Sequence, residues 1–555
     1  MDHINKRFLV LIPILLVGLQ LLAQDEQWER EGEIKDVEIE IVRERQITLP
    51  RANRNFEKVP PRPSEPITPE ITYEFRNLNF NVPEYRASIR PLRLKQEEIA
   101  RIYGRYVSVG YGNFSSPFLD AWLNTKRDKE KFVGARLYHR SFGKGPVDDK
   151  NSASSNSEIS VFGSSFMGKV TSTGSIDYVN RGGYFYGYAP GLEVARDSIR
   201  QSYHTFNIGG SFSNTKPSDF NYDLGGSFGY LSDHYNAAES EVGLNFKSDY
   251  AFSDNKRMIL NSEYYLITRK DSLIDAKPRH LLKINPTFRF MPIENLSVSI
   301  GANAVLENDT IRNKSLHVYP DVAAEYTLSK NINAYARLSG DMDKVTLRST
   351  SSENFWVNAN VNIFHTNKTF DFTAGLRGKL GKQASFNLGV AAANLQDLYF
   401  YQNLSDRAKF DLVYDNGNVQ RVNFFGELGF NKNEVVKLGV RGDYFSYNMD
   451  KQPEAWHRPT YRFSANSSFN IYEKLLLKVS LVGQGGMKAL NSEMVPAQVV
   501  TLDTGVDLNI KADYYLSRQA SIFLKFENIL SNEYPVYLNY PVRGIQVLGG
   551  VSWSF

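Results

Sequence analysis

From about residue 105 to its last residue the chain alternates apolar and polar residues with a period of two. Tyr222, Leu224, Gly226, Phe228 and Tyr230 share one parity, while Asn221, Asp223, Gly225, Ser227 and Gly229 share the other. Ile332, Ala334, Ala336 and Leu338 stand likewise against Asn333, Tyr335, Arg337 and Ser339. Val436, Leu438, Val440, Gly442 and Tyr444 stand against Lys437, Gly439, Arg441 and Asp443. Successive side chains of a strand point to opposite faces, so each segment has one apolar and one polar face. Two architectures satisfy that: a soluble sandwich packed on one side, or a barrel in lipid. The strand candidates run about 10–15 residues, longer than ordinary soluble strands and long enough to cross a bilayer at a tilt. No helical segments accompany them to cover the apolar faces, which leaves lipid as the partner. The expected fold class is all-β, a transmembrane antiparallel β-barrel of about 22 strands.

Composition agrees with two averaged faces. Aromatic residues make up 13% of the 555 residues, with 32 Tyr and 35 Phe, although the chain is hydrophilic on average. Apolar runs are too scarce for a helical membrane protein with several spans. The absence of cysteine excludes a disulfide scaffold and any cysteine-ligated metal centre. A net charge of +4, from 65 basic and 61 acidic residues, gives no reason to expect nucleic acid as a partner.

Residues 1–23 have the layout of a secretory signal peptide. Lys6 and Arg7 precede an apolar stretch from Phe8 through Leu22, and Ala23 marks a cleavage point. No cysteine follows, so no lipoprotein anchor is expected. Residues 24–104 carry eight of the 22 prolines, dense charge of both signs and almost no glycine. That composition predicts a periplasmic tether or a lumen-filling segment rather than a packed core. Within it, Val37, Ile39 and Ile41 alternate with Glu38 and Glu40. This reads as one short strand, either offered to a periplasmic partner's sheet edge or paired within the protein itself. Leu92–Ile102 has the pattern of a short amphipathic helix. The third division, 105–555, is the outer-membrane barrel.

Connections in the barrel region fall into two kinds. Tight turns are expected near Gly168, Asp254, Glu294, Lys330, Gly381, Asn433, Glu473 and Arg518. Longer polar loops alternate with them, near 143–154, 181–202, 270–278, 307–314, 342–369, 449–457, 490–498 and 531–542. Short periplasmic turns opposite long outer loops are the asymmetry of membrane barrels. A first count gives 23 strands, which would place the two ends of the barrel on opposite sides. The odd strand arises at 384–431. There Asp415-Asn416-Gly417-Asn418 reads as a hairpin turn between Ala408–Asp415 and Val419–Phe430. Treating 384–415 as one bent excursion restores about 22.

Val547, Gly549, Val551, Trp553 and Phe555 share the apolar parity to the last residue, and Val551, Trp553 and Phe555 are the expected barrel-closing positions. Together with Phe526-Glu527-Asn528-Ile529-Leu530, Tyr540-Pro541, Arg543-Gly544 and Gly549-Gly550-Val551-Ser552-Trp553-Ser554-Phe555, this ending resembles that of the TonB-dependent receptor barrel. The resemblance covers 105–555 in layout and is specific only over the last 30 or so residues. It implies the fold, the outer membrane of a Gram-negative cell and the barrel insertion machinery as a partner. It also implies a role in transport, and Val37–Val42 is faintly similar to the energy-coupling box of that family. The departure lies before the barrel, where residues 24–104 are too short and too Pro-rich for the family's globular plug.

Reactive chemistry is sparse. The eight histidines show no metal-ligand spacing, and Asp233-His234 point opposite ways on an extended chain. Asp341 with Asp343, and Glu307 with Asp309, could offer oxygen ligands to Ca²⁺ or be solvated loop charges. No enzyme, cofactor, metal or catalytic residue is expected. Phe355, Trp356 and Phe364 in the loop 342–369 are the candidate extracellular contact residues, in a loop that either folds inward or forms a surface for a protein partner. Two functions remain: a transport or uptake barrel working with a partner, and a non-transporting scaffold of an outer-membrane protein complex.

Overall fold

The computed structural model describes residues 103–555, apart from 127, 310, 312, 313 and 434. The signal peptide, the tether, the Val37, Ile39 and Ile41 strand and the 92–102 helix lie outside the described residues.

Twenty-two antiparallel strands form one closed sheet. They range from 8 residues, in Arg105–Gly112, to 19, in Asp275–Ile293. Each barrel strand pairs with the next, and the last, Gln546–Ser554, pairs with the first from Tyr106↔Ser554 to Gly112↔Leu548. Val551 lies opposite Val109 and Trp553 opposite Val107 on that seam, and the Phe555 N–H donates to the Arg105 carbonyl at 2.9 Å. Closure pairs the backbone groups that a sheet edge would leave unmet in hydrocarbon.

The outward parity is apolar all the way round. Val109, Leu123, Ile159, Ile208, Leu244, Ile300, Leu376, Val440, Leu524 and Val551 are all exposed, at 42 to 53%. A continuous apolar band of this kind is far larger than the patches that water-soluble monomers expose, and it is the surface that lipid covers. Inward positions carry charge in matched pairs. Arg337 meets Asp321 at 3.0 Å, Arg377 meets Glu325 at 2.6 Å, Arg441 meets Asp443 at 2.9 Å, and Lys525 meets Glu527 at 2.6 Å.

The two ends differ in kind. At one end the connections are two to six residues long. Gly168 and Gly381, at φ 63° and 69°, supply the left-handed backbone for two of these turns. At the other end are the segments 185–199, 344–365, 397–417, 450–460, 486–504 and 528–545. The four clusters of buried apolar side chains among the described residues all draw on that end.

The region 384–431 departs from its expected pairing. Ala384–Gln396 pairs directly with Asn418–Lys432, from Ala384↔Phe430 to Gln396↔Asn418. Residues 397–417 leave the wall, and Asp411–Tyr414 folds back on Tyr399–Gln402 instead of 408–415 pairing with 419–430. The reason lies in Asp415. Its side chain is fully buried and accepts backbone N–H groups from Gly417, Lys451 and Gln452 at 2.8, 3.0 and 2.9 Å. The Asp-Asn-Gly-Asn run therefore ties two loops together rather than turning a hairpin. The excursion adds no wall strand, so the count of 22 is unaffected.

Candidate functional site

The long loops carry aromatic residues that ordinary solvated loops lack, and these residues meet. Tyr203 and Leu231 from the wall, Val345, Leu347, Val357, Val361 and Ile363 from 344–365, Tyr399, Tyr401 and Phe410 from 397–417, and Tyr537 and Tyr540 from 528–545 form one buried cluster. Tyr203 belongs to the sixth barrel strand, whereas its hydroxyl donates to the carbonyl of Phe355, between the thirteenth and fourteenth, at 3.2 Å. The Trp356 indole stacks on Tyr540, from the loop before the last strand, with centroids 3.9 Å apart, and donates to the Tyr184 carbonyl at 3.0 Å. A 22-stranded barrel is roughly 40 Å across, from strand spacing and tilt. Loops rooted at such distant points of the rim can share a core only by reaching over the lumen. The cluster is a cap on the barrel mouth.

Polar groups fix the cap in register. Leu347–Glu353 is a short helix whose first turn is closed by Thr346 and Ser349. Glu239, from the wall strand Ala238–Ser253, accepts the N–H groups of Leu347 and Arg348 at 2.7 and 3.0 Å. At the helix's other end the Glu353 carboxylate accepts from Tyr399 Oη at 2.5 Å, Tyr401 Oη at 3.2 Å and Arg458 Nη1 at 2.7 Å. Its carbonyl accepts from Tyr537 Oη at 3.1 Å. One acidic residue thus joins three loops to the helix. Buried Tyr hydroxyls need such partners, because an unmet one costs about 1–3 kcal/mol.

Two histidines lock the same assembly as neutral rings. His457 Nδ1 donates to the Tyr401 carbonyl at 2.8 Å and Nε2 accepts from the Leu538 N–H at 3.3 Å. Burial pushes its pKa down to about 4, with the carbonyl hydrogen bond opposing and Arg458 assisting. His365 Nδ1 accepts from Arg279 Nη2 at 2.7 Å and from the Val345 N–H at 3.1 Å. Burial, and then the Arg279 charge, pushes it down to about 3. Arg279 also forks onto Asp309 at 2.6 and 3.0 Å, and Asp309 accepts the His365 N–H at 2.6 Å. With Arg269 donating to the Val361 carbonyl at 2.5 Å, both ends of 344–365 are clamped to the wall.

The candidate contact residues lie inside this framework. Phe355 packs edge-on to Tyr203 at 5.3 Å, Trp356 stacks as described, and Phe364 packs edge-on to Tyr414 at 5.3 Å. All three are half-buried, with their rings engaged by other loops and the wall. The acidic pairs considered for Ca²⁺ are engaged by side chains of the protein. Asp309 is held by Arg279, Glu307 by His317 at 3.2 Å, Asp341 by Lys283 at 2.9 Å, and Asp343 by Lys368 at 3.2 Å. Asp233 accepts from the Tyr235 and Ala237 N–H groups, closing its own turn, and so is used structurally. Sequence reasoning missed Glu239, Glu353, Arg458, Tyr399, Tyr401, Tyr537 and Tyr540. The signal that could have found them is the aromatic density of Tyr399-Phe400-Tyr401 and Tyr534 to Tyr540 in segments otherwise read as polar loops.

No protein-family model matches the sequence, and no curated protein matches it. Solved structures do match. The barrel is similar to the siderophore receptor PirA from Acinetobacter baumannii, with TM-score 0.63 and 10% identity over 83% of this chain and 81% of that one. The pyoverdine outer membrane receptor FpvA from Pseudomonas aeruginosa PAO1 aligns with TM-score 0.64 and 10% identity, over 83% and 79%. The FrpB iron transporter from Neisseria meningitidis aligns with TM-score 0.63 and 9% identity, over 82% of each chain. At these identities the likeness establishes the fold. With its lipid-facing apolar band, the described part of the chain is an outer-membrane β-barrel whose fold resembles the barrels of TonB-dependent receptors.

Proposed function

We propose that this protein is an uptake barrel of the outer membrane, held shut at rest by its own loop cap and opened with the help of a partner protein. The observation that carries the reading is the shared core of 344–365, 397–417 and 528–545 over the lumen. An unobstructed pore of this width would breach the permeability barrier, and a cap keyed to the wall through Glu239, Arg269 and Arg279 closes it. Loop 344–365, with Phe355, Trp356 and Phe364, is the element through which a ligand outside would act, because its rings join the cap core to the wall. Val37, Ile39 and Ile41 offer a strand to a periplasmic partner, and Val551, Trp553 and Phe555 present the closing strand to the insertion machinery.

Conductance of the purified protein in planar bilayers tests the reading. The full chain is expected to conduct little, and replacing 347–363 by a short glycine-serine linker is expected to raise conductance by at least about tenfold. Large, steady conductance of the intact protein refutes a closed resting state. Deletion of 24–104 in the same assay tells whether that segment also restricts the pore. Ile39→Pro, which cannot add to a sheet ladder, is expected to abolish uptake in cells while leaving barrel assembly intact.

The density of the cap also favours a second reading, a scaffold subunit that never opens. In that case a detergent pull-down from native membranes yields a stable complex, and deletion of the gene leaves uptake unchanged.

A further inference from the structure

A cavity of about 550 Å³ lies where the cap meets the barrel wall. Its lining includes the inward residues Arg140, Asn156, Arg181 and Glu527 of the wall, Phe355 and Trp356 of 344–365, and Arg543 of 528–545. Arg140 pairs across the sheet with Asn156, and Asn156 with Arg181, so the two arginines occupy one inward row two strand spacings apart, about 10 Å. Arg543 enters the same space from the loop. The Phe142 ring lies 4.7 Å from the Arg140 guanidinium and 4.3 Å from that of Arg543, so two of the three arginines that line this cavity meet at one ring.

Their charges are not matched. Arg140 forks onto Glu527, and Lys525 binds that same carboxylate at 2.6 Å. Arg140 Nε is buried without a partner. Arg543 donates to the Lys144 and Ser152 carbonyls at 3.2 and 3.0 Å and to Ser154 Oγ at 2.9 Å. Arg181 donates to the Ser351 carbonyl at 3.1 Å and lies 5.6 Å from the Tyr203 ring. Among the described residues, neither Arg181 nor Arg543 has a carboxylate within ion-pair distance. The cavity's other acid, Asp507, accepts from Tyr534 at 3.0 Å. Elsewhere in the lumen, Arg337 and Arg377 each face a carboxylate. Half-buried guanidinium groups held only by neutral acceptors lack the counter-charge that even partial burial calls for. The walls beside them are flat rings: Phe142, Tyr186 and Trp356.

We propose that this cavity is a binding site for a small oxyanion carrying a planar ring, an aryl carboxylate or aryl phosphate, with Arg181 and Arg543 taking the oxyanion and Phe142, Tyr186 and Trp356 flanking the ring. Guanidinium forks match carboxylate and phosphate oxygens, and aromatic walls add area that a bare inorganic ion cannot use. The site stands apart from the uptake reading, since binding is measured on purified protein without transport.

Isothermal titration calorimetry of the full chain in detergent, with phenyl phosphate, benzoate and inorganic phosphate as probes, tests it. Saturable binding of phenyl phosphate or benzoate is expected, at least about tenfold tighter than inorganic phosphate. Arg543→Gln and Arg181→Gln are each expected to weaken it by about tenfold or more, while Arg337→Gln, remote from the cavity and paired with Asp321, leaves it unchanged. Heat-dependent mobility of the unboiled barrel on gels verifies folding, and if Arg543→Gln fails to fold, Arg181→Gln decides. Absence of saturable binding by both aryl probes, or unchanged affinity in the folded variants, overturns the site. Equal affinity for inorganic phosphate overturns the part assigned to the rings.

Discussion

The two ends of the barrel are made by one chain under one alternating pattern, yet they are held by different forces. At the short-turn end, order is local. A two-residue turn such as 168–169 needs only a residue that tolerates positive φ and two strands already in register. At the long-loop end, order comes from residues hundreds of positions apart, as where the Gly187 Cα lies so close to Tyr540 that an added Cβ would meet the ring at 2.7 Å. The first kind of structure survives the loss of almost any one side chain. The second depends on a few.

The sharpest way to break the contrast is to remove one ring from each end. Phe410 is fully buried in the cap, and Phe410→Ala is expected to cost about 3–5 kcal/mol of cap stability, seen as lost amide hydrogen-exchange protection across 344–365, 397–417 and 528–545. Tyr472, 91% exposed in a short turn, is expected to cost almost nothing when replaced by Ala. Equal effects at the two ends would dissolve the distinction.

Acidification is expected to act on the cap alone. His457 is held near pKa 4 in the folded cap, whereas a histidine in an opened loop titrates near about 6.5. Its contribution is therefore complete above about pH 6.5 and is lost as pH falls toward 4, a total of about 3 kcal/mol. His365, depressed further, adds in the same direction. Hydrogen exchange as a function of pH should show the cap loosening across that window while the barrel strands stay protected. His457→Asn, which keeps a donor and an acceptor, should flatten the profile.

Smaller effects grade the polar ties. Glu353→Gln removes the charge facing Arg458, with the two side chains 34% and 22% exposed, and is expected to cost about 1–2 kcal/mol of cap stability by the same exchange measurement. Arg377→Gln in the lumen, where the pair with Glu325 is 52% and 33% exposed, should cost less than about 1 kcal/mol by thermal denaturation. A larger loss there would mean that lumen pairs hold the barrel together.

The same division explains what could be read from the chain. Strand parity in Tyr222 to Tyr230, the turns at Gly168 and Gly381 and the count of 22 were legible because each depends on neighbours in sequence. The pairing at 384–431 was misread because Asp415 has the chemistry of a local turn but spends its carboxylate on Lys451 and Gln452 of another loop. Glu353 and Arg458 were invisible for the same reason: their partners come from three separate loops. Phe355 and Trp356 stood out as aromatic residues in a loop, and only the fold shows which rings they meet. The unmatched Arg181 and Arg543 needed the register across strands, which no single segment contains.

A common core also limits how the outer face can drift. Loops of a surface protein usually diversify one at a time, which is how a cell escapes whatever recognises it from outside. Here a replacement at Tyr401, Phe410 or Tyr540 asks for a matching change in a loop encoded far away, so those segments must change together or stay as they are. Freedom to vary falls to the tips that point away from the core, such as Leu192, Leu273 and Val495, exposed at 55, 86 and 98%. Variation among close relatives should gather at these tips and spare the aromatic interior.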